Sequence, residues 1–178
     1  GSASGVFFHE IFGHRIEGHR QKDESEGQTF TKKINQQILP SFISVYDDPT
    51  VKIFNSIDLN GYYPYDDEGI KSSRVAVVNK GILRNFLMCR SPITGFTNSN
   101  GHGRKQPGRR VVSRQGNLFI TSSNNVSMKE LISLLIDRCK SEGKTFGLFF
   151  EDISGGFNFT GRGFPQSFNV VPIVVYKV

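Results

Sequence analysis

Apolar side chains recur at helical spacing near the start of the chain. The spacing predicts a helix over residues 5–20, whose buried face would carry Phe8, Ile11, Phe12 and Ile16. Residues 21–33 are polar, so we expect an exposed loop or the frayed end of this helix there.

A second helical pattern follows Ser127. The segment Ser127-Met128-Lys129-Glu130 is a capping box, and Leu131, Leu134 and Leu135 follow at i, i+3, i+4 spacing until Gly143. The sequence therefore predicts one further amphipathic helix.

Short runs of β-branched and aromatic residues between turn sequences predict strands in the rest of the chain. We expect strands at 41–46, 51–54, 74–78, 82–89, 117–122, 146–153, 157–162 and 168–178. The clearest hairpin joins the third and fourth of these through Asn79-Lys80-Gly81, where the glycine can adopt positive φ. Gly155-Gly156 predicts a turn or a bulge. Two helices and about eight strands, several of them joined by short turns, predict an α+β fold built on a largely antiparallel β-sheet.

Length and composition fit one folded domain over residues 1–178. The chain is 37% hydrophobic and 21% charged, which is typical of a globular protein. No apolar run approaches the ~20 residues needed to cross a bilayer, so we expect no membrane partner. Cys89 and Cys139 form no CxxC motif, and the start of the chain lacks a signal-peptide pattern. These features predict a reducing, cytoplasmic location, although one disulfide between the two thiols stays open.

The motif His9-Glu10-Ile11-Phe12-Gly13-His14 places two imidazoles around a carboxylate. Imidazole nitrogens are good zinc ligands, and a neighbouring glutamate can take a proton from a water molecule at the metal. The zincin motif H-E-x-x-H spaces its histidines by four residues, whereas these are spaced by five and would lie about 140° apart on a regular helix. One π-type turn would bring them into register, and Gly13 and Gly18 would make that distortion easier.

The motif has two interpretations. In the functional one, zinc is held by His9 and His14, and Glu10 is the general base of a peptide hydrolysis. In the structural one, the histidines face solvent or form ordinary hydrogen bonds, as most helical histidines do. A catalytic zinc also needs a third protein ligand, for which the candidates are His19, His102, Cys89, Cys139 and Glu17.

The segment over residues 5–18, Gly-Val-Phe-Phe-His-Glu-Ile-Phe-Gly-His-Arg-Ile-Glu-Gly, resembles the H-E-x-x-x-H segment of the TldD/PmbA metalloproteases, which were once described as modulators of DNA gyrase. Further matching segments follow in order along essentially the whole chain: Tyr65-Asp66-Asp67-Glu68-Gly69, residues 75–88, Ser99-Asn100-Gly101 and Gly155-Gly156. The five-residue spacing is the spacing that this family uses.

The resemblance implies a zinc-dependent endopeptidase that acts on unfolded peptides or flexible segments. It implies a mostly antiparallel carboxy-terminal catalytic domain that follows an amino-terminal α/β domain, and assembly as a homodimer or as a heterodimer with a related chain. It also implies that His9 and His14 are the zinc ligands and that Glu10 is the general base.

The sequence departs from the family pattern in two respects. The third family ligand is a cysteine in a Gly-Thr-Cys-Gly-like turn, and neither Cys89 nor Cys139 lies in such a turn. The amino-terminal domain does not precede the motif. We therefore expect a truncated carboxy-terminal metalloprotease domain that binds zinc weakly or not at all and is inactive alone.

Two alternative functions remain at this stage. The basic residues His102, Arg104, Lys105, Arg109, Arg110 and Arg114, in a protein of net charge +6, could bind nucleic acid, but the loop lacks aromatic residues for base stacking. A non-enzymatic partner subunit is the other alternative, and the intact motif argues against it.

For the acidic run Asp66-Asp67-Glu68, a turn capped by Gly69 is favoured over a calcium or magnesium site.

Overall fold

Short helices and antiparallel strands make up the part of the chain that the computed structural model describes, namely residues 2–22, 29–159 and 167–178. The helical elements are α1 (Ser2–Ile11), a 3₁₀ turn (Gly13–Ile16), α2 (His19–Lys22) and α3 (Met128–Ser141). The strands are β1 (Ile43–Asp47), β2 (Ile53–Phe54), β3 (Ile57–Asp58), β4 (Val75–Asn79), β5 (Ile82–Leu83), β6 (Gly103–Arg104), β7 (Val112–Ser113), β8 (Leu118–Ser122), β9 (Leu148–Phe159) and β10 (Ser167–Lys177). Every pair of named strands is antiparallel, so the predicted α+β class is confirmed.

A four-stranded sheet in the order β5-β4-β1-β8 supports the amino-terminal helices. Its side chains form the core, and those of Val45, Val77 and Leu83 are at most 1% exposed. Phe12 and Ile16 pack into the same core from the end of α1 and the 3₁₀ turn. The predicted apolar face of the first helix therefore anchors the motif to the sheet.

The predicted hairpin around residues 79–81 is confirmed, but its second strand is shorter than expected. Lys80 and Gly81 both have positive φ, 48° and 80°, which is the conformation of a tight type I′ connection. The predicted strand over 82–89 ends at Leu83 because the next two backbone N–H groups both donate to the carbonyl of Val77. The chain then leaves the sheet, and Leu87 pairs with the amino-terminal motif segment instead.

Strands β9 and β10 form a long hairpin that lies against α1. The two strands predicted at 146–153 and 157–162 are one continuous strand as far as Phe159, and residues 160–162 lie outside the described residues. Gly155-Gly156 therefore makes no turn. A register shift next to Gly155, where the partner strand carries Pro172, is the bulge that the glycines also predicted, since proline cannot donate to the ladder.

Helix α3 begins and ends as the sequence predicts. Ser127 Oγ accepts a hydrogen bond from Glu130 N at 3.2 Å, and Gly143 has a φ of 65° just after the helix. None of its residues is buried, and Leu131 and Leu134 remain about half exposed. Neither α3 nor any other helix in the described ranges is long and apolar enough to cross a membrane.

Candidate metal centre

The helix that carries the motif is interrupted between the two histidines. Helix α1 ends at Ile11, and the chain continues through Phe12 into the 3₁₀ turn, where Arg15 N donates to Phe12 O at 2.9 Å. The predicted helix over 5–20 is thus broken, and the predicted π-type turn is wrong. The interruption lets the following residues leave the helix and pair with Leu87, through Leu87 N to Ile16 O at 2.9 Å and Gly18 N to Leu87 O at 2.8 Å.

Gly13 and Gly18 of the motif segment allow the backbone to approach neighbouring segments closely, rather than making the helix easier to distort. A Cβ atom at Gly13 would overlap the side chain of Gln115, and one at Gly18 would lie 2.8 Å from Leu87 O. The backbone can therefore reach the neighbouring segments only because no side chain stands at these two positions.

The broken helix brings His9, Glu10 and His14 into one cluster. One potential ligand atom from each residue lies within 4.8 Å of the other two. The Glu10 carboxylate stands between the imidazoles, with Oε1 3.8 Å from His9 Nε2 and Oε2 3.6 Å from His14 Nε2. Glu10 and His14 therefore share one face, and His9 joins them.

The cluster is open on one side. The side chain of His9 is 49% exposed, whereas those of Glu10 and His14 are each 12% exposed. Partial burial, reinforced by the neighbouring His14, holds the pKa of His9 below its usual value, against the smaller opposing influence of Glu10. A lowered pKa favours the neutral imidazole, which is the form that binds metal ions.

Glu17 holds the His14 ring in place through a contact with Nδ1. Its carboxylate is fully buried, with Oε1 3.1 Å from His14 Nδ1, Oε2 accepting from Arg20 Nε at 2.9 Å, and Arg114 Nη1 3.5 Å away. Burial raises the pKa of Glu17, but the hydrogen bond with His14 and the charges of Arg114 and His14 outweigh it and hold the pKa below its usual value. A carboxylate on Nδ1 sets the ring orientation and leaves Nε2 for a metal ion. Glu17 is predicted from the sequence only as a candidate third ligand, although its position three residues after His14 is a signal for this contact.

The other candidate third ligands do not join the cluster within the described ranges. His102 is fully buried, with Nε2 3.1 Å from Asp47 Oδ1 and Nδ1 3.1 Å from Asn100 O. Cys89 is buried beside the sheet, and Cys139 is a free thiol on α3.

The acidic run after Tyr65 forms a turn, as favoured from the sequence. Asp66 Oδ1 accepts hydrogen bonds from the backbone N–H groups of Glu68 and Ile70, and Gly69 has a φ of 75°. Asp67 Oδ2 lies 3.1 Å from Arg104 Nε. The carboxylates therefore bind the protein's own donors.

Comparison with known proteins places this chain in a family. Residues 1–164 match the family model of the PmbA/TldA metallopeptidase C-terminal domain. The chain is 30% identical over 132 residues to a metalloprotease of Archaeoglobus fulgidus, covering 74% of this chain and 29% of that protein. It is 27% identical over 164 residues to a metalloprotease of Methanocaldococcus jannaschii, covering 92% of this chain and 33% of the relative. The chain thus spans about a third of the length of these relatives.

Solved structures share the fold. TldE from Thermococcus kodakarensis superposes with a TM-score of 0.59 at 18% identity, over 99% of this chain and 39% of that one. A Thermotoga maritima protein described as a candidate modulator of a DNA gyrase gives the same TM-score and identity, over 97% of this chain and 39% of that one.

Proposed function

Since the chain belongs to the family of PmbA/TldA metallopeptidase C-terminal domains, we propose that it carries the catalytic groups of a zinc-dependent endopeptidase that cuts unfolded peptides or flexible segments. The observation that carries the proposal is the cluster of His9, Glu10 and His14, whose ligand atoms lie within 4.8 Å of one another.

The donors fit zinc in type, since imidazole nitrogen is a common zinc ligand. His9 and His14 would hold the ion through Nε2, and the contact between Glu17 and His14 Nδ1 supports that orientation. When bound, zinc acts as a Lewis acid and lowers the pKa of a water molecule.

Glu10 is the proposed general base. Its carboxylate oxygens lie 3.8 Å from His9 Nε2 and 3.6 Å from His14 Nε2, so a water molecule near both imidazoles would be within reach of Glu10 for proton transfer. The same carboxylate would then be placed to pass the proton to the leaving amine. The exposed side of His9 is the direction from which a peptide would approach.

Catalytic zinc sites use three protein ligands. If Glu10 is the base, the cluster in the described part of this chain supplies two of them, His9 and His14, and lacks the third. We therefore propose that the chain alone binds zinc weakly or not at all and lacks activity, and that the complete protein supplies the remaining donor. Isothermal titration of this chain with zinc tests this point. Tight 1:1 binding that is lost in the His9→Ala variant would contradict it.

The catalytic role is tested with the complete protein and an unfolded peptide, with cleavage followed by mass spectrometry. Glu10→Gln should lower the cleavage rate by about 10²–10⁴-fold, the usual contribution of a general base, and leave zinc affinity nearly unchanged. Glu142→Gln, which alters an exposed carboxylate paired with Arg138 on α3, is the matched control. If Glu10→Gln abolishes zinc binding, Glu10 is a ligand; if it leaves cleavage unchanged, the proposed mechanism fails.

Assembly and location complete the proposal. Exposed apolar side chains on β10, among them Val171, Ile173 and Tyr176, support assembly as a homodimer or as a heterodimer with another family member. The free thiols of Cys89 and Cys139 suit a reducing compartment such as the cytoplasm.

The alternative functions have less support. Arg104 pairs with Asp67 and lies 4.3 Å from the centre of the Tyr63 ring, and Arg114 faces Glu17, so two guanidinium groups of the basic loop are engaged within the protein. Salt-dependent binding to random duplex DNA would revive the nucleic-acid alternative. A non-enzymatic partner subunit would give no difference between the wild type and Glu10→Gln.

A further inference from the structure

An open groove of about 560 Å³ begins at His9 and follows β8, the outer strand of the four-stranded sheet. Helix α1 contributes Gly5 and His9 to its lining, and the β2–β3 region contributes Phe54 and Leu59. The exposed imidazole of the metal centre is therefore also a wall of this groove.

Three aromatic rings form an ordered wall of the groove. Tyr46 and Phe119, which are register partners on β1 and β8, stack with ring centres 4.9 Å apart at an angle of 12°. Phe54 meets Phe119 edge to face at 5.3 Å, and Arg74 covers the Tyr46 ring at 3.7 Å. Phe54 nevertheless stays 48% exposed, so part of its apolar surface faces solvent.

The groove is lined by uncharged residues, with the Arg74 guanidinium beside them over the Tyr46 ring, in a protein of net charge +6. None of the residues that line it is Asp, Glu, Lys or Arg, and its polar members include Gln115 and Asn117. The amide of Asn117 is already engaged, since its Oδ1 accepts from Gly61 N and its Nδ2 donates to Val51 O. An uncharged aromatic wall favours an apolar ligand group over an acidic or basic one.

We propose that this aromatic groove is the subsite for one large apolar side chain of the peptide, next to the bond that is cut, so that the enzyme prefers phenylalanine, tyrosine or leucine there. The proposal rests on the proposed peptidase function, because His9 joins the groove to the metal centre. An aromatic side chain of the substrate would pack against the exposed part of Phe54 and against Phe119, and its release from water would stabilise the complex.

The complete protein is tested with an unfolded substrate protein, and mass spectrometry maps the residues that flank each cut. In the wild type, phenylalanine, tyrosine and leucine should exceed alanine and aspartate on one side of the bond by about tenfold or more. Phe54→Ala, on an exposed hairpin, should reduce this preference to about threefold or less, mainly through KM. Phe119→Leu should act in the same direction while keeping an apolar residue in β8.

Tyr65→Ala is the matched control, since Tyr65 is an aromatic residue that is 59% exposed and lies outside the groove lining. It should leave the preference unchanged. Cleavage without any preference, or a preference that survives both groove variants, overturns the groove proposal and leaves the peptidase function standing. If the wild type cuts nothing, binding is measured by fluorescence anisotropy with two labelled versions of one peptide, one containing phenylalanine and the other aspartate at the same position. Tighter binding of the phenylalanine version, weakened by Phe54→Ala, supports the groove and rejects the peptidase function, whereas equal binding rejects both.

Discussion

Replacement of Glu17 should weaken the metal centre without touching a proposed metal ligand. Glu17→Gln keeps the size of the side chain but removes its charge and one of its acceptor oxygens. The remaining amide oxygen can accept from either His14 Nδ1 or Arg20 Nε, which the carboxylate serves at 3.1 Å and 2.9 Å, but not from both. The amide nitrogen, itself a donor, would face the other donor.

The size of the effect follows from these contacts. Loss of a carboxylate that orients a metal-binding imidazole typically costs about 10–100-fold in metal affinity, which corresponds to about 1.4–2.8 kcal/mol. The Glu17→Ala variant should also lower the free energy of unfolding by about 2–3 kcal/mol. That is below the range of about 3–5 kcal/mol for a broken buried ion pair, because the side chains of Arg20 and Arg114 are 20% and 41% exposed and retain water as a partner.

The assay measures the zinc affinity of the complete protein by competition with a chromophoric chelator. Glu142→Gln, directly after α3, controls for the loss of one negative charge and should change zinc affinity by less than about twofold, in keeping with its exposure. If Glu17→Gln binds zinc within twofold of the wild type, the reasoning about His14 is refuted. Lost affinity with an unchanged free energy of unfolding for Glu17→Gln would show that orientation rather than global folding is responsible.

The remaining predictions concern acid stability and packing. Because the folded-state pKa of Glu17 lies below its ordinary value of 4.5, its contribution to stability is complete above pH 4.5 and is lost as the pH falls through the lowered value; acid titration of Glu17→Gln should lack this step. Gly18→Ala should lower the free energy of unfolding by about 1–3 kcal/mol, because its Cβ would lie 2.8 Å from Leu87 O. Gly5→Ala, with open space around its Cβ, should raise it by up to about 1 kcal/mol in urea unfolding. His102→Ala should cost about 1–3 kcal/mol, because the buried Asp47 loses one hydrogen-bond partner while keeping Gly116 N, and an unchanged free energy of unfolding would contradict this reasoning.

Local signals in the sequence predicted the elements whose structure is decided locally. The capping box at Ser127 set the start of α3, and Asn79-Lys80-Gly81 set the β4–β5 connection. The three residues of the metal cluster could also be named, because the identity of their side chains limits the chemistry that they can perform. The assignment of ligand and base roles to them stays a prediction.

The geometry around the motif could not be predicted because distant contacts decide it. The break after Ile11 accompanies the pairing of Gly18 with Leu87, and the position of Glu17 depends on Arg114 as well as on its neighbour His14. Helical periodicity carries no information about these partners. The same limitation explains why β5 could not be predicted to be short, since the residues after it pair with the motif segment through Leu87 and not with the sheet.

The pairing of the motif segment with Leu87 also has a consequence for the order of events during folding. Contacts between segments far apart in the chain cost loop-closure entropy before their interaction energy is gained, so they tend to form late. The hydrogen-bonded turn that carries His14, together with the Glu17 carboxylate, should therefore mature after the local β4–β5 hairpin has formed. A nascent or partly folded chain would then carry His9, Glu10 and His14 without the arrangement that brings their ligand atoms within 4.8 Å of one another.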